Sequence, residues 1–170
     1  VLFISVHEYP GFPGTGHYSE VGEHPSKGMT VNIPFPSGYG DREYSTAFRE
    51  IILPILKQFS PEFIILSWSP NTLQDDPYAH LVMSEEGLLN ILKEVIAVSK
   101  AISKGRLISV LEGGTPGKAM ARAVSQHVSL LLNNRWLPVD KGKKIELVSY
   151  ADWYSYSKVL KTEFKKYWRI

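Results

Sequence analysis

The sequence contains no cysteine. That excludes disulfides, thiolate nucleophiles and cysteine-bound zinc, so a metal site in this chain would draw on His, Asp, Glu or Asn. No apolar run approaches the roughly 18 residues that span a membrane, and no membrane partner is expected. No positively charged stretch precedes the apolar start, so a secretory signal peptide is not indicated and a cytoplasmic, intracellular setting is expected. Net charge is nearly absent: 19 basic against 17 acidic residues leave +2, too little to argue for nucleic acid. The basic residues do gather late, between Lys141 and Arg169, which leaves a local patch. There is no internal repeat and no low-complexity segment. What remains is an ordinary globular composition, 44% hydrophobic and 21% charged over 170 residues, enough for one domain with a real core.

Apolar runs alternate with helical patterns. VLFISVH (1–7), FIILSWS (63–69) and RLISVLE (106–112) read as buried strands, and VNIPF (31–35) as a short extended piece. Asp41 is placed to cap a helix from about 42 to 58, in which Pro54 predicts a kink or an early end. Ser84, followed by Glu85 and Glu86, marks the start of a helix that stops near Gly105. Thr115-Pro116 reads as N-cap and first turn of a helix to about 133. Continuous apolar strands separated by helices imply a parallel sheet covered on both faces. Beyond a loop, Trp153, Tyr156, Leu160 and Phe164 recur at helical spacing, with Lys158, Lys161 and Lys165 on another face. The chain opens at Val1, inside a strand pattern. Domains rarely begin within a buried strand, so an N-terminal part is expected to be missing.

Three motifs could carry chemistry. LEGGTPGKAMA (111–121) sets paired glycines between strand and helix, a place where a ligand can approach backbone N–H groups. A phosphate loop would need Gly at Glu112 and Ser or Thr at Ala119; both fail, which leaves a tight strand-to-helix turn. The Gly/Pro-rich loop 11–28 holds His17, Glu20, Glu23 and His24, metal-capable types that are more often solvated in such loops. Loops of fixed path frequently wall a cleft. In SWSPNTLQDDP (67–77), Asn71 follows a buried strand, where ligands collect in α/β proteins. It could offer a metal a neutral carbonyl oxygen, or it could stabilise the turn before DDP.

The segments VLFISVH, FPGTG (12–16), EVG (20–22), VNIPFPSGYGDREY (31–44), AFREIILPIL (47–56), FSPEFIILS (59–67), DDP (75–77), MSEEG (83–87) and LISVLEGG (107–114), in this order and spacing, resemble the zinc-dependent histone deacetylase family. That family includes acetoin-utilisation proteins and acetylpolyamine amidohydrolases. The resemblance covers about residues 1–133. It implies an α/β fold, a three-layer and mostly parallel sheet with helices on both faces, of which this chain would be the C-terminal portion. Residues 134–170 would form a loop and an aromatic, basic amphipathic helix docked on the same domain.

In the family, a tandem histidine pair activates water, and an Asp and a His ligate zinc shortly before the segment matching the first strand here. A third ligand, an Asp, falls at Asn71. Many bacterial relatives have His at Leu73, and a Tyr whose hydroxyl stabilises the oxyanion falls at Thr115. Phe12 matches a wall of the acyl-lysine tunnel, with Gly114 also lining it. Asp to Asn removes a negative charge from beside a dication. Tyr to Thr removes a long donor, a loss that typically costs roughly 10² to 10³ in rate.

The resemblance therefore implies an inactive or impaired deacetylase homologue with zinc weakly bound or absent, no intact catalytic residue, and a binding or scaffolding role. Its partners would be the N-terminal portion or an active homologue, or a second copy meeting it through exposed core surface. The alternative is an active amidohydrolase whose remaining ligands and histidine base lie in that N-terminal portion. A basic-tail module for acidic partners is a third class.

Overall fold

The computed structural model describes residues 1–114, 117–133 and 152–170. Strands β1 (Phe3–Glu8) and β2 (Thr30–Phe35) pair in parallel, with Val6 opposite Ile33. Strands β3 (Ile64–Trp68) and β4 (Leu107–Leu111) form a second parallel pair, with Leu66 opposite Ser109. Parallel neighbours need a crossover. Between β3 and β4 it contains the helix α3 (Glu85–Ile102); between β1 and β2 it is the Gly/Pro-rich loop. The extended piece expected at 31–35 is thus a full strand, and its residues from Val31 to Phe35 are all buried.

The predicted helix 42–58 is present, but its start and its proline differ from expectation. Helix α1 (Asp41–Ala47) passes through a π-helical turn, Phe48–Ile52, into α2 (Leu53–Phe59). The cap position is Gly40, whose N–H donates to the Glu43 carboxylate at 3.0 Å. Asp41 is the first helical residue, and its carboxylate turns outward to accept the N–H of Ser84 at 2.7 Å and its hydroxyl at 2.5 Å. Pro54 has no N–H, and in a regular α-helix its ring would press on the carbonyl four residues earlier. The chain widens there instead, with the Leu53 N–H reaching back five residues to the Phe48 carbonyl. The helix continues past the proline.

Helix α3 begins where Ser84 predicts: its hydroxyl accepts the Gly87 N–H at 2.9 Å, and Glu85 and Glu86 occupy the positive first turn. A Cβ on Gly87 would lie 2.0 Å from the Asp41 carboxylate, so the starts of α1 and α3 meet at a point where only glycine fits. The helix closes with Gly105, at φ +77°, donating its N–H to the Ser99 carbonyl at 2.8 Å. Helix α4 (Lys118–Asn133) follows β4.

The core centres on β2. Val31, Ile33 and Phe35 are fully buried beside Tyr39, Ile51 and Ile55. Helix α5 (Trp153–Phe164) lies on the same cluster through Trp153, Leu160 and Phe164. The Phe35 ring meets Tyr39, Tyr44 and Trp153 edge-on at 5.2, 4.8 and 5.7 Å, the geometry that aromatic quadrupoles favour. Polar contacts fasten α5 and the residues after it: the Tyr156 hydroxyl donates to the Pro34 carbonyl, the Trp168 indole N–H to Gly28, and Gln58 and Arg169 exchange two bonds of 2.9 Å.

The second strand pair is covered on one side only. Trp68 packs inward, while Phe63, Ile65, Ile108 and Val110 are exposed, Ile65 by 67% and Ile108 by 52%. Among the described residues, these side chains carry no cover on their outer face. No helix among the described residues is long and apolar enough to cross a membrane.

Candidate functional site at the ends of β3 and β4

Beyond Trp68 the chain turns sharply. Ser69 caps a short 3₁₀ turn, Pro70–Thr72, its hydroxyl accepting the Asn71 N–H at 3.4 Å. The neighbouring strand ends in step, the Glu112 N–H donating to the Trp68 carbonyl at 3.0 Å. Gly114 adopts φ +119°, and a Cβ there would stand 2.8 Å from the Pro70 ring. The glycine is thus required twice, by its backbone and by the proline against it. Leu73 is 2% exposed and sits in the core, bridged to Met83; the Gln74 N–H reaches the Met83 carbonyl at 3.0 Å. An imidazole at Leu73 would have to enter an apolar cluster. The DDP turn rests on Asp76, whose carboxylate accepts the Tyr78 N–H at 3.0 Å.

Asn71 itself is exposed, and its amide makes no hydrogen bond among the described residues. The turn-stabilising role belongs to the Ser69 hydroxyl and the Asp76 carboxylate. Thr115 lies outside the described residues. For the zinc that the resemblance implies, the donor chemistry is poor: one neutral amide where the resemblance puts a ligand, and no group of three His, Asp or Glu side chains suited to a metal among the described residues. These residues do not by themselves make a zinc site. Next to them a cleft of about 460 Å³ opens between the turn and the first turn of α4, lined by Pro70, Leu73, Asp75, Asp76, Lys118 and Arg122. Arg122 is held by Glu85, its Nε donating at 2.8 Å.

The loop after β1 organises itself around its own polar groups. The Glu20 carboxylate accepts the N–H groups of Gly16 and His17, which holds its pKa below the usual carboxylate range. His17 pairs with the Ser19 hydroxyl at 2.7 Å. The metal-capable residues His17, Glu20, Glu23 and His24 form no candidate metal group with one another. Phe12 projects fully into solvent from a turn closed by the Gly14 N–H on the Gly11 carbonyl. His7 fixes this loop to β1, with Nε2 3.0 Å from the Gly16 carbonyl and Nδ1 2.8 Å from the Ser5 hydroxyl.

Two buried polar residues escaped the sequence reading. His127 of α4 is buried against the Trp68 ring at 4.8 Å, with Nε2 2.7 Å from the Ser109 hydroxyl and Nδ1 without a partner among the described residues. Burial depresses its pKa. The Tyr44 hydroxyl is buried without a partner among the described residues, and burial, then the charge of Glu8, raises its pKa. Glu8 also accepts the Ser37 hydroxyl and pairs with His80, each at 2.9 Å. The only sequence signal for His127 was its place on the apolar face of α4.

Comparison with known proteins agrees with this geometry. A "Probable deacetylase" of Archaeoglobus fulgidus is 40% identical over 114 residues, 67% of this chain and 32% of that protein. "Histone deacetylase 14, chloroplastic" of Arabidopsis thaliana is 32% identical over 132 residues, 78% of this chain and 31% of its own length. This chain therefore spans about a third of these relatives. Among solved structures, the HDA15 HD domain superposes with a TM-score of 0.80 at 25% identity, over 98% of this chain and 44% of that one. Clr3, described as a histone deacetylase, gives 0.80 at 23% identity and supports the fold. These neighbours share the deacetylase α/β fold, and the family model of the histone deacetylase domain matches residues 1–131. The chain belongs to the histone deacetylase domain family.

Proposed function

We propose that this chain is part of a deacetylase-fold domain whose catalytic site is impaired, and that it acts by binding or scaffolding. The observation that carries the reading is Asn71, a neutral, exposed amide just after β3, where the resemblance puts a carboxylate ligand. Leu73, two residues on, is committed to the core and supplies no donor atom. The uncovered face of β3 and β4 supports a second element of the proposal. The rest of the domain, or an active homologue, covers Ile65, Ile108 and Val110 and provides the partner.

The test is zinc content per chain, by elemental analysis of the longest natural form purified without added metal or chelator, with deacetylation of an acetyl-lysine peptide measured in parallel. Folded protein with almost no zinc and no turnover is expected. Near one zinc per chain, with turnover abolished in Asn71→Ala, would establish the competing reading of an active amidohydrolase; the 40% identity to a protein described as a deacetylase supports that reading. In the impaired form, Asn71→Asp should raise zinc affinity by restoring charge beside the ion.

A further inference from the structure

Charge is unevenly divided along the chain. Residues 1–133 carry ten basic and thirteen acidic side chains; residues 134–170 carry nine and four. Within the described part of that tail, α5 has already spent its apolar face on the core, through Trp153, Leu160 and Phe164. Beside that face runs a row at helical spacing, exposed at Tyr154, Lys158 and Lys165 and half-buried at Lys161. Helical hydrogen bonding persists past the last helical residue, with Lys165 N–H to Lys161 and Trp168 N–H to Phe164 at 2.9 Å, so Lys165 stays in the row. Arg169, past the last helical hydrogen bond, is also exposed.

We propose that this row is a docking surface for an acidic helical segment of another protein. Its chemistry is already used once within the molecule: Lys161 pairs with Glu50, a carboxylate presented by the neighbouring helical element, at 2.5 Å. Lys158 and Lys165 have no such carboxylate among the described residues. Lys158 instead rests 3.9 Å from the centre of the Tyr154 ring, which orders its ammonium at the head of the row, and that ring is 64% exposed. A partner helix with one carboxylate per turn repeats every ~5.4 Å along its axis, the same repeat as the lysine row. Exposed Val159 adds apolar contact beside it. Two features favour an acidic helix over a phosphate backbone. The row is short, whereas nucleic-acid affinity grows with the number of phosphates neutralised. It is also flanked by Glu50, Asp152 and Glu163, which repel a continuous line of phosphates but leave gaps that a periodic helix matches. The surface is independent of whether the deacetylase site is active.

The experiment is fluorescence anisotropy on the intact chain. The probes are a labelled peptide with Glu at every turn of one helical face, a scrambled peptide of the same composition, and a DNA duplex. The facial peptide is expected to bind, and Lys158→Glu with Lys165→Glu to weaken it by about tenfold or more, against less than about twofold for the charge-matched pair Lys100→Glu with Lys104→Glu. The neutral pair Lys158→Gln with Lys165→Gln should give an intermediate loss, and unchanged urea midpoints would show that each variant folds. No binding of the facial peptide, equal binding of the scrambled one, tighter binding of the duplex, or equal loss in the control pair would each overturn the proposal.

Discussion

Strands β2 and β3 look alike locally: short, apolar, each paired in parallel with one neighbour. Their surroundings differ. Strand β2 is enclosed by α5, Tyr39 and the α1–α2 segment, and its side chains from Val31 to Phe35 are buried. Strand β3 packs Trp68 against His127 of α4, and among the described residues nothing covers Ile65 on its other face. The difference teaches that an apolar run identifies a strand but not its neighbours. The candidate site sits on the half-covered pair, and the stability of this chain on the enclosed one.

The sharpest way to break that comparison is truncation in each pair. Phe35→Ala should cost about 3–5 kcal/mol, from lost burial and the cavity left among the rings, while Ile108→Ala on the open face should cost only about 1. Urea midpoints read both, and equal losses would mean that the outer face is covered in solution. Next in size is Gly114→Ala. A left-handed backbone and the Pro70 ring both oppose the new methyl, so a loss of roughly 1–3 kcal/mol is expected, visible in the same titration. Asp41→Ala should cost about 1 kcal/mol through the lost Ser84 contacts and loosen the start of α3, seen as faster amide exchange at Gly87.

The smallest effect is the dependence on pH. The pKa of His127 is lower folded than unfolded, where it lies near 6.5. Above that value both states are neutral and the full stability is present. As pH falls through it, the unfolded chain takes up a proton that the folded one resists, so stability declines until the folded pKa is passed. His127→Gln should flatten the difference between midpoints at pH 7.5 and 5.5; an unchanged slope would remove His127 as its source.

Much of the fold was legible because its signals are local. Ser84 with two acids behind it started α3, Gly105 ended it, and apolar runs marked all four strands. Pro54 predicted a kink or an early end, whereas the helix continues through a wider turn whose Phe48 and Ile51 are buried in packing that no short window contains. Asn71 stood out by its place after a buried strand, while the ligand position assigned to it rests on the resemblance. The commitment of Leu73 to the core, and the pairing of His127 with Ser109, join residues far apart in sequence and emerged only in three dimensions.

The wide turn at Phe48–Ile52 has a consequence for length as well as shape. It accommodates one more residue than an α-helical turn would over the same rise, so the helical segment carries one residue of slack. Removing one residue there would rotate α2 by about 100° relative to α1 if both stayed rigid. Taking up the slack instead would close the turn to α geometry and bring the Pro54 ring against a carbonyl. A one-residue deletion in this segment should therefore be tolerated only together with replacement of Pro54, which ties the length of the helix to a single side chain.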